Sequence, residues 1–189
     1  MNNETADVEH RANEAFSKNM EMLTFYLSDS QQYGINVFKI IEVIETPKEI
    51  TIVPKTNPAV VGIIRFRDTS LTVIDISSGL DMAPIDYKNN ISYVIVCEYS
   101  NTIQGILVSR PNRLLNVNSE DIKPPSETIK NSGYLTAITF DENSETVQIL
   151  DIEKIISEIN SIEANISSHD STLSHESSNQ HLQNFYEQQ

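Results

Sequence analysis

Between residues 22 and 160 the apolar positions fall into short runs. LTFYLSD, IIRFRD, SLTVIDI, SYVIVCEY, TIQGILVS, YLTAITF and TVQILDI are each rich in β-branched and aromatic residues, and Asp, Asn, Ser and Pro separate them. Such runs, bounded by turn formers, predict strands, and short strands at close spacing predict barrels or sandwiches. One stretch changes period midway. YGINVFKIIEVIE, residues 33–45, begins like the end of a strand and then sets Val37, Ile40, Ile41 and Ile44 at helical spacing, although its β-branched content favours strand. The clearest helix is Ile152 to Ile159, with Ile152, Ile155, Ile156 and Ile159 on one face.

The pattern also repeats. GINV (Gly34 to Val37) closes a strand pair that begins at LTFYL, and GILV (Gly105 to Val108) closes one that begins at YVIVC. GIIRF then leads through a hairpin to VIDI (Val73 to Ile76), as LTAITF leads to ILDI (Ile149 to Ile152). Two matches in the same order predict two related β units, 22–90 and 91–160, each small for an independent fold and therefore sharing an apolar seam. The terminal helix is expected to help cover that seam. Residues 1–21 form a polar N-terminal extension with a weak helical pattern over Glu9 to Met20. Residues 161–189 are rich in Ser, Gln, Asn and His, contain no Lys or Arg, and read as a disordered tail or linker.

Composition narrows the function. The net charge of −14 disfavours nucleic acid and anionic membranes as partners and leaves a basic protein partner open. A single cysteine, Cys97, excludes an intramolecular disulfide. The N-terminus lacks the basic and apolar regions of a signal peptide, and no run is long enough to span a bilayer, so the reading is cytoplasmic without membrane insertion.

Catalytic chemistry is not evident. The histidines, His10, His169, His175 and His181, all lie in the two tails; their spacing admits weak metal binding, but no thiolate accompanies them. Cys97 sits in an apolar strand, as a buried structural thiol does. Five glycines form no phosphate-binding loop. Asp75 and Asp151 each follow a strand and precede a helical start, which predicts helix capping rather than a catalytic carboxylate pair. No enzyme activity, cofactor or metal is expected.

Four stretches, YGINVFKIIEVIE, PAVVGIIRFRDTSLTVIDI, GILVSRPNRLLNV and VQILDIEKIISEI, together resemble the CheW-like domain of bacterial chemotaxis, from Leu23 to Asn160. YGINVFKI and VQILDIEKI are closer in wording to the N-terminal domain of CheV-type members. The resemblance implies a mainly β fold of two intertwined five-stranded barrels, SH3-like, with short helices and a C-terminal helix. It implies a non-enzymatic adaptor that couples the cytoplasmic hairpin of a chemoreceptor to the regulatory domain of the histidine kinase CheA, with other CheW-like domains as further partners.

The resemblance also assigns residues. Leu23, Val37, Ile40 and Pro111 match positions of a receptor-binding groove between the barrels, with a short helical turn after Tyr33–Ile35 carrying two of them; the residues alone, without the resemblance, read as ordinary core. Arg67 matches an arginine of the GIIRFR hairpin, placed to reach an acidic group on a partner or a surface carboxylate such as Glu42. The chain departs from the family pattern at Asp68, where glycine is usual in a turn that wants positive φ, and at Thr72, Ser109 and Pro111. CheV proteins carry a receiver domain after the CheW-like part; the residues fit either a CheV fragment with its linker or a CheW-type adaptor. A small-molecule binding protein using the inter-barrel groove is the alternative reading.

Overall fold

The computed structural model describes residues 19–54, 56–99, 101–125 and 134–160. The helical pattern before Asn19, the 161–189 tail and the four histidines lie outside them. Among the described residues the pattern of short apolar runs produces ten strands: β1 (Asn19–Tyr26), β2 (Gln32–Asn36), β3 (Ile40–Glu45), β4 (Val60–Phe66), β5 (Thr69–Ile74), β6 (Tyr93–Tyr99), β7 (Thr102–Val108), β8 (Arg110–Asn118), β9 (Leu135–Phe140) and β10 (Thr146–Leu150). Asn19 and Met20, the end of the expected N-terminal helical pattern, are already in β1.

Two five-stranded sheets result. The central sheet runs β3-β6-β7-β5-β4, and the terminal sheet runs β8-β1-β2-β10-β9. The central sheet is continuous in sequence, whereas the terminal sheet joins the two ends of the domain. The repeat units 22–90 and 91–160 therefore interleave, because each sheet takes strands from both. Among the described residues no ladder joins the edge strands of either sheet, but single bridges join Thr51, after β3, to Ile63 of β4 and Lys123, after β8, to Ile138 of β9.

The repeated motifs meet crosswise. Gly34 of the first unit lies opposite Ile149 of ILDI in the parallel pair β2–β10, and Gly105 of the second lies opposite Val73 of VIDI in the parallel pair β5–β7. A Cβ at Gly105 would stand 2.6 Å from Val94 Cγ1 and 3.3 Å from Leu71 Cδ2, so the inside of the central barrel admits only glycine there without a shift. The equivalent atom at Gly34 would stand 3.2 Å from Val147 Cγ1.

Each parallel strand then delivers its aspartate to a helix start. Asp75 caps α1 (Ile76–Gly79) by accepting from Ser77 N–H at 2.9 Å, and it also accepts from Ile85 N–H at 2.8 Å. Asp151 accepts from Lys154 N–H at 2.9 Å at the start of α2, residues 152–160. Capping is thus the role of both carboxylates.

The main core lies between the sheets. It joins Leu23, Phe25, Tyr33 and Ile35 of the terminal sheet to Ile74, Ile95, Cys97, Ile106 and Val108 of the central one, and all four isoleucines of α2 are buried in it. A smaller cluster, Met22, Leu115, Val117 and Val147, fills the inside of the terminal barrel. Cys97 is fully buried, and burial pushes its thiol pKa up to about 12, as befits a structural thiol.

Candidate functional site

The segment that changes period is strand, one turn, then strand. Asn36 ends β2 and accepts from Phe38 N–H at 2.9 Å through its side-chain oxygen, which caps a single 3-10 turn, Val37–Lys39. Ile40 then opens β3, so Ile40, Ile41 and Ile44, at helical spacing in the sequence, lie on a strand. The helical turn expected there is present but only three residues long. Partner strand β6 overrides the 3.6-residue period by pairing Val43 with Ile95 and Ile44 with Val94, with a bulge between Ile40 and Glu42.

Around this turn the candidate groove residues divide by burial. Leu23, at 9% exposure, belongs to the main core and lies between Ile35 of β2 and Leu114 of β8. Val37 and Ile40 are half-buried and pack against that same core. Pro111 is half-buried on β8 opposite Phe25. Several of their sequence neighbours are exposed and apolar: Phe38 is 90% exposed, Leu114 58%, and Ile41 and Val43 are also open to solvent, while Ile52, Ile91, Ile103 and Phe140 are exposed elsewhere in the chain. Phe38, Val43 and Leu114 were not singled out in the sequence, and Ile41 was singled out there only for its helical spacing. Ile41 and Val43 follow from the alternation of a strand once IIEVIE is read as one.

Ion pairs border the turn on two sides. Lys39 Nζ lies 2.7 Å from Glu153 Oε1 on α2 and 5.6 Å from the centre of the Tyr99 ring, which fixes the turn against the terminal helix. Arg67 Nη2 donates to Glu42 Oε2 at 2.8 Å, and both side chains are exposed, at 66% and 42%. The surface ion pair is therefore formed within the chain, and the Arg67 guanidinium also covers the Phe66 ring at 5.0 Å.

The hairpin carrying Arg67 differs from expectation in one detail. Phe66 pairs with Thr69, leaving a two-residue loop, and its positive φ of 53° falls on Arg67, the first loop residue, rather than on Asp68. A non-glycine residue there costs about 1 kcal/mol.

Among the described residues no cluster of His, Cys, Asp or Glu could hold a metal ion. No helix among them is long and apolar enough to cross a membrane.

Comparison with known proteins agrees with this architecture. Residues 21–160 match the family model described as "CheW-like domain". The chain is 32% identical over 142 residues to "Chemotaxis protein CheV2" of Helicobacter pylori, covering 69% of this chain and 45% of that protein. It is 29% identical over 139 residues to "Chemotaxis protein CheW" of Klebsiella aerogenes, covering 72% of this chain and 81% of that one. It spans about half the length of the CheV relatives it matches. Among solved structures, the scaffolding protein TtCheW of Thermoanaerobacter tengcongensis shares the fold, with a TM-score of 0.63 at 21% identity over 72% of this chain and 91% of that one. With the match running from β1 to the end of α2, through both sheets and the turn between them, the chain belongs to the CheW-like domain family.

Proposed function

We propose that this chain is a non-enzymatic adaptor of chemotaxis that couples the cytoplasmic hairpin of a chemoreceptor to the regulatory domain of the histidine kinase CheA, in the cytoplasm and at receptor arrays. The observation that carries the reading is the set of exposed apolar side chains at the 3-10 turn and the start of β3, Phe38, Ile41 and Val43, next in sequence to Val37 and Ile40 that pack against the core, with Leu114 exposed on β8 opposite Leu23. A soluble protein exposes single apolar residues commonly, but a group bordering a core seam marks an interaction surface. An amphipathic receptor helix would bury its stripe there, and charged groups at the rim, Lys39, Glu42 and Arg67, would set orientation. The family and the named CheV and CheW relatives support this assignment.

The test is calorimetric titration of the protein against two purified partners, a receptor cytoplasmic hairpin and the CheW-like regulatory domain of a CheA. Binding to both is expected. Binding to neither, by a protein shown to be folded, would overturn the adaptor reading.

A further inference from the structure

The edge strands are β3 and β4 in the central sheet and β8 and β9 in the terminal one, and a single backbone bridge joins the segment after one edge to the other edge, Thr51 to Ile63 of β4 and Lys123 to Ile138 of β9. An ion pair also links the two edges of each sheet, at positions that the sequence repeat makes equivalent. Glu42 stands eight residues after Gly34, and Arg113 eight residues after Gly105. Arg67 follows Phe66 at the end of β4, and Asp141 follows Phe140 at the end of β9. Glu42 meets Arg67 at 2.8 Å, and Arg113 meets Asp141 at 3.0 Å. The two pairs are therefore counterparts with their charges exchanged.

They differ in burial and in what surrounds them. Both members of the first pair are exposed, whereas the Asp141 side chain has no exposure at all. Asp141 accepts from Arg113 Nη2, from Gln32 Nε2 at 3.3 Å, and from the backbone N–H groups of Asn143 and Glu145 at 2.9 and 2.8 Å. Gln32 also donates to Glu145 Oε2 at 2.6 Å and accepts from Asn112 Nδ2 at 3.2 Å.

The strand that these bonds reach is an edge strand. β8 has a ladder on one side only, to β1, and that ladder is interrupted by a bulge between Leu23 and Phe25, opposite Pro111–Leu114. Pro111 has no N–H to contribute. At the bulge, side chains substitute for the ladder: Thr24 Oγ1 donates to the Arg113 carbonyl at 3.0 Å and accepts from Arg113 N–H at 3.2 Å. Beneath β8 lies the small Met22–Leu115–Val117–Val147 cluster.

We propose that Arg113 and Asp141 form a second clasp, which, in addition to the Lys123–Ile138 bridge, ties β8 to the end of β9 and positions β8 so that Pro111 and Leu114 are presented to a docked partner. The docking half rests on the adaptor reading, and the clasp itself does not. Arg113 and Asp141 are positioning residues here, acting through β8 rather than by touching the partner. The exposed Glu42–Arg67 pair is a weak counterpart that water screens.

Hydrogen exchange of the free, full chain tests the clasp without any partner. Asp141→Asn keeps a side-chain oxygen for the two backbone N–H groups and removes the nearer and buried of the two carboxylates beside Arg113, the other being exposed Glu142 at 3.7 Å. Exchange should rise about 10- to 100-fold over 110–118 and 141–147, the loss expected for hydrogen bonds to a charged group. Residues 93–108 of the central sheet should keep their protection, and Glu42→Gln should change β3 by about twofold or less. A rise confined to 141–145, or an equal rise in both sheets, would overturn the clasp. Arg113→Gln, which removes the partly exposed member, gives the same reading if Asp141→Asn does not fold.

Titration of Asp141→Asn against a receptor hairpin then tests the docking half. Weaker binding with Phe38 and Leu114 intact is expected. A loosened β8 with unchanged affinity would overturn the positioning role and leave the clasp standing. A wild-type protein that binds no hairpin would overturn the docking half together with the adaptor reading, again without touching the clasp.

Discussion

Phe38 gives the sharpest separation of binding from folding. Its side chain is 90% exposed on a turn held by Asn36 and Lys39, so only a tenth of it is packed in the free protein. Full burial of a phenylalanine is worth about 1.5–3 kcal/mol. Truncation in Phe38→Ala should therefore cost the fold only about 0.2–0.3 kcal/mol, below what a denaturant melt resolves. If a partner covers the ring, the same truncation forfeits about 2 kcal/mol of binding, which is about 30-fold in Kd. The assay is calorimetric titration of both proteins against a receptor hairpin, with urea unfolding in parallel. Leu23→Ala is the opposite control, since at 9% exposure it should cost about 2–5 kcal/mol of stability before any effect on binding can be read. Unchanged hairpin affinity in Phe38→Ala, with the wild type binding, would refute the argument that exposed apolar area on this turn is docking area.

Three further outcomes are expected. Ile155, buried between α2 and the main core, should lose about 2–5 kcal/mol on Ile155→Ala, and a urea midpoint within error of wild type would show that α2 contributes little to the seam. Cys97, its thiol pKa raised to about 12 by burial, should resist an aromatic disulfide reagent at pH 8 and react only on unfolding; rapid labelling of the native protein would contradict its burial. Burial alone would raise the Asp141 carboxyl, but the Glu145 N–H, the Gln32 amide, the Asn143 N–H and the Arg113 charge outweigh it and hold it below the usual carboxylate range. Its contribution to stability is then complete above the unfolded-state pKa, about 4, and is lost as pH falls through the lower folded value. Asp141→Asn should flatten the acid limb of the stability profile, and parallel profiles for the two proteins would argue against that linkage.

Much of the fold was legible because strands, turns and caps are local. The apolar runs became strands, the isoleucine face of α2 became its buried face, and Asp75 and Asp151 became caps. The repeat was legible too, since GINV and GILV, or VIDI and ILDI, are matches along the chain. Its spatial consequence was not. Nothing local says that Gly34 pairs with Ile149 rather than with a strand of its own unit, because parallel pairing depends on the path of the whole chain. The two glycines carry the only local trace, each being the residue whose missing Cβ admits neighbours from the other unit.

The candidate site shows the same division between what is local and what is not. Val37 and Ile40 stood out because they are apolar and three apart, a spacing that reports a helix. The structure grants that spacing a single turn and hands Ile40 onward to a strand, where alternation takes over and Ile41 and Val43 become the exposed pair. Leu114 was hidden for a different reason. Among RPNRLLNV it is one of two adjacent leucines, and the register at the bulge opposite Leu23 and Phe25 sets which stays exposed and which, Leu115, joins the small cluster of the terminal sheet. A bulge shifts the side-chain alternation of its strand. The side chains that hold this bulge, Thr24, Asn112 and Arg113, come from β1 and β8 and end on Gln32 and Asp141, residues far apart in the sequence. The exposure of Leu114 is thus decided by a polar network that no single stretch of the chain reveals, and perturbing that network at Asp141 should change the apolar surface without altering one of its residues.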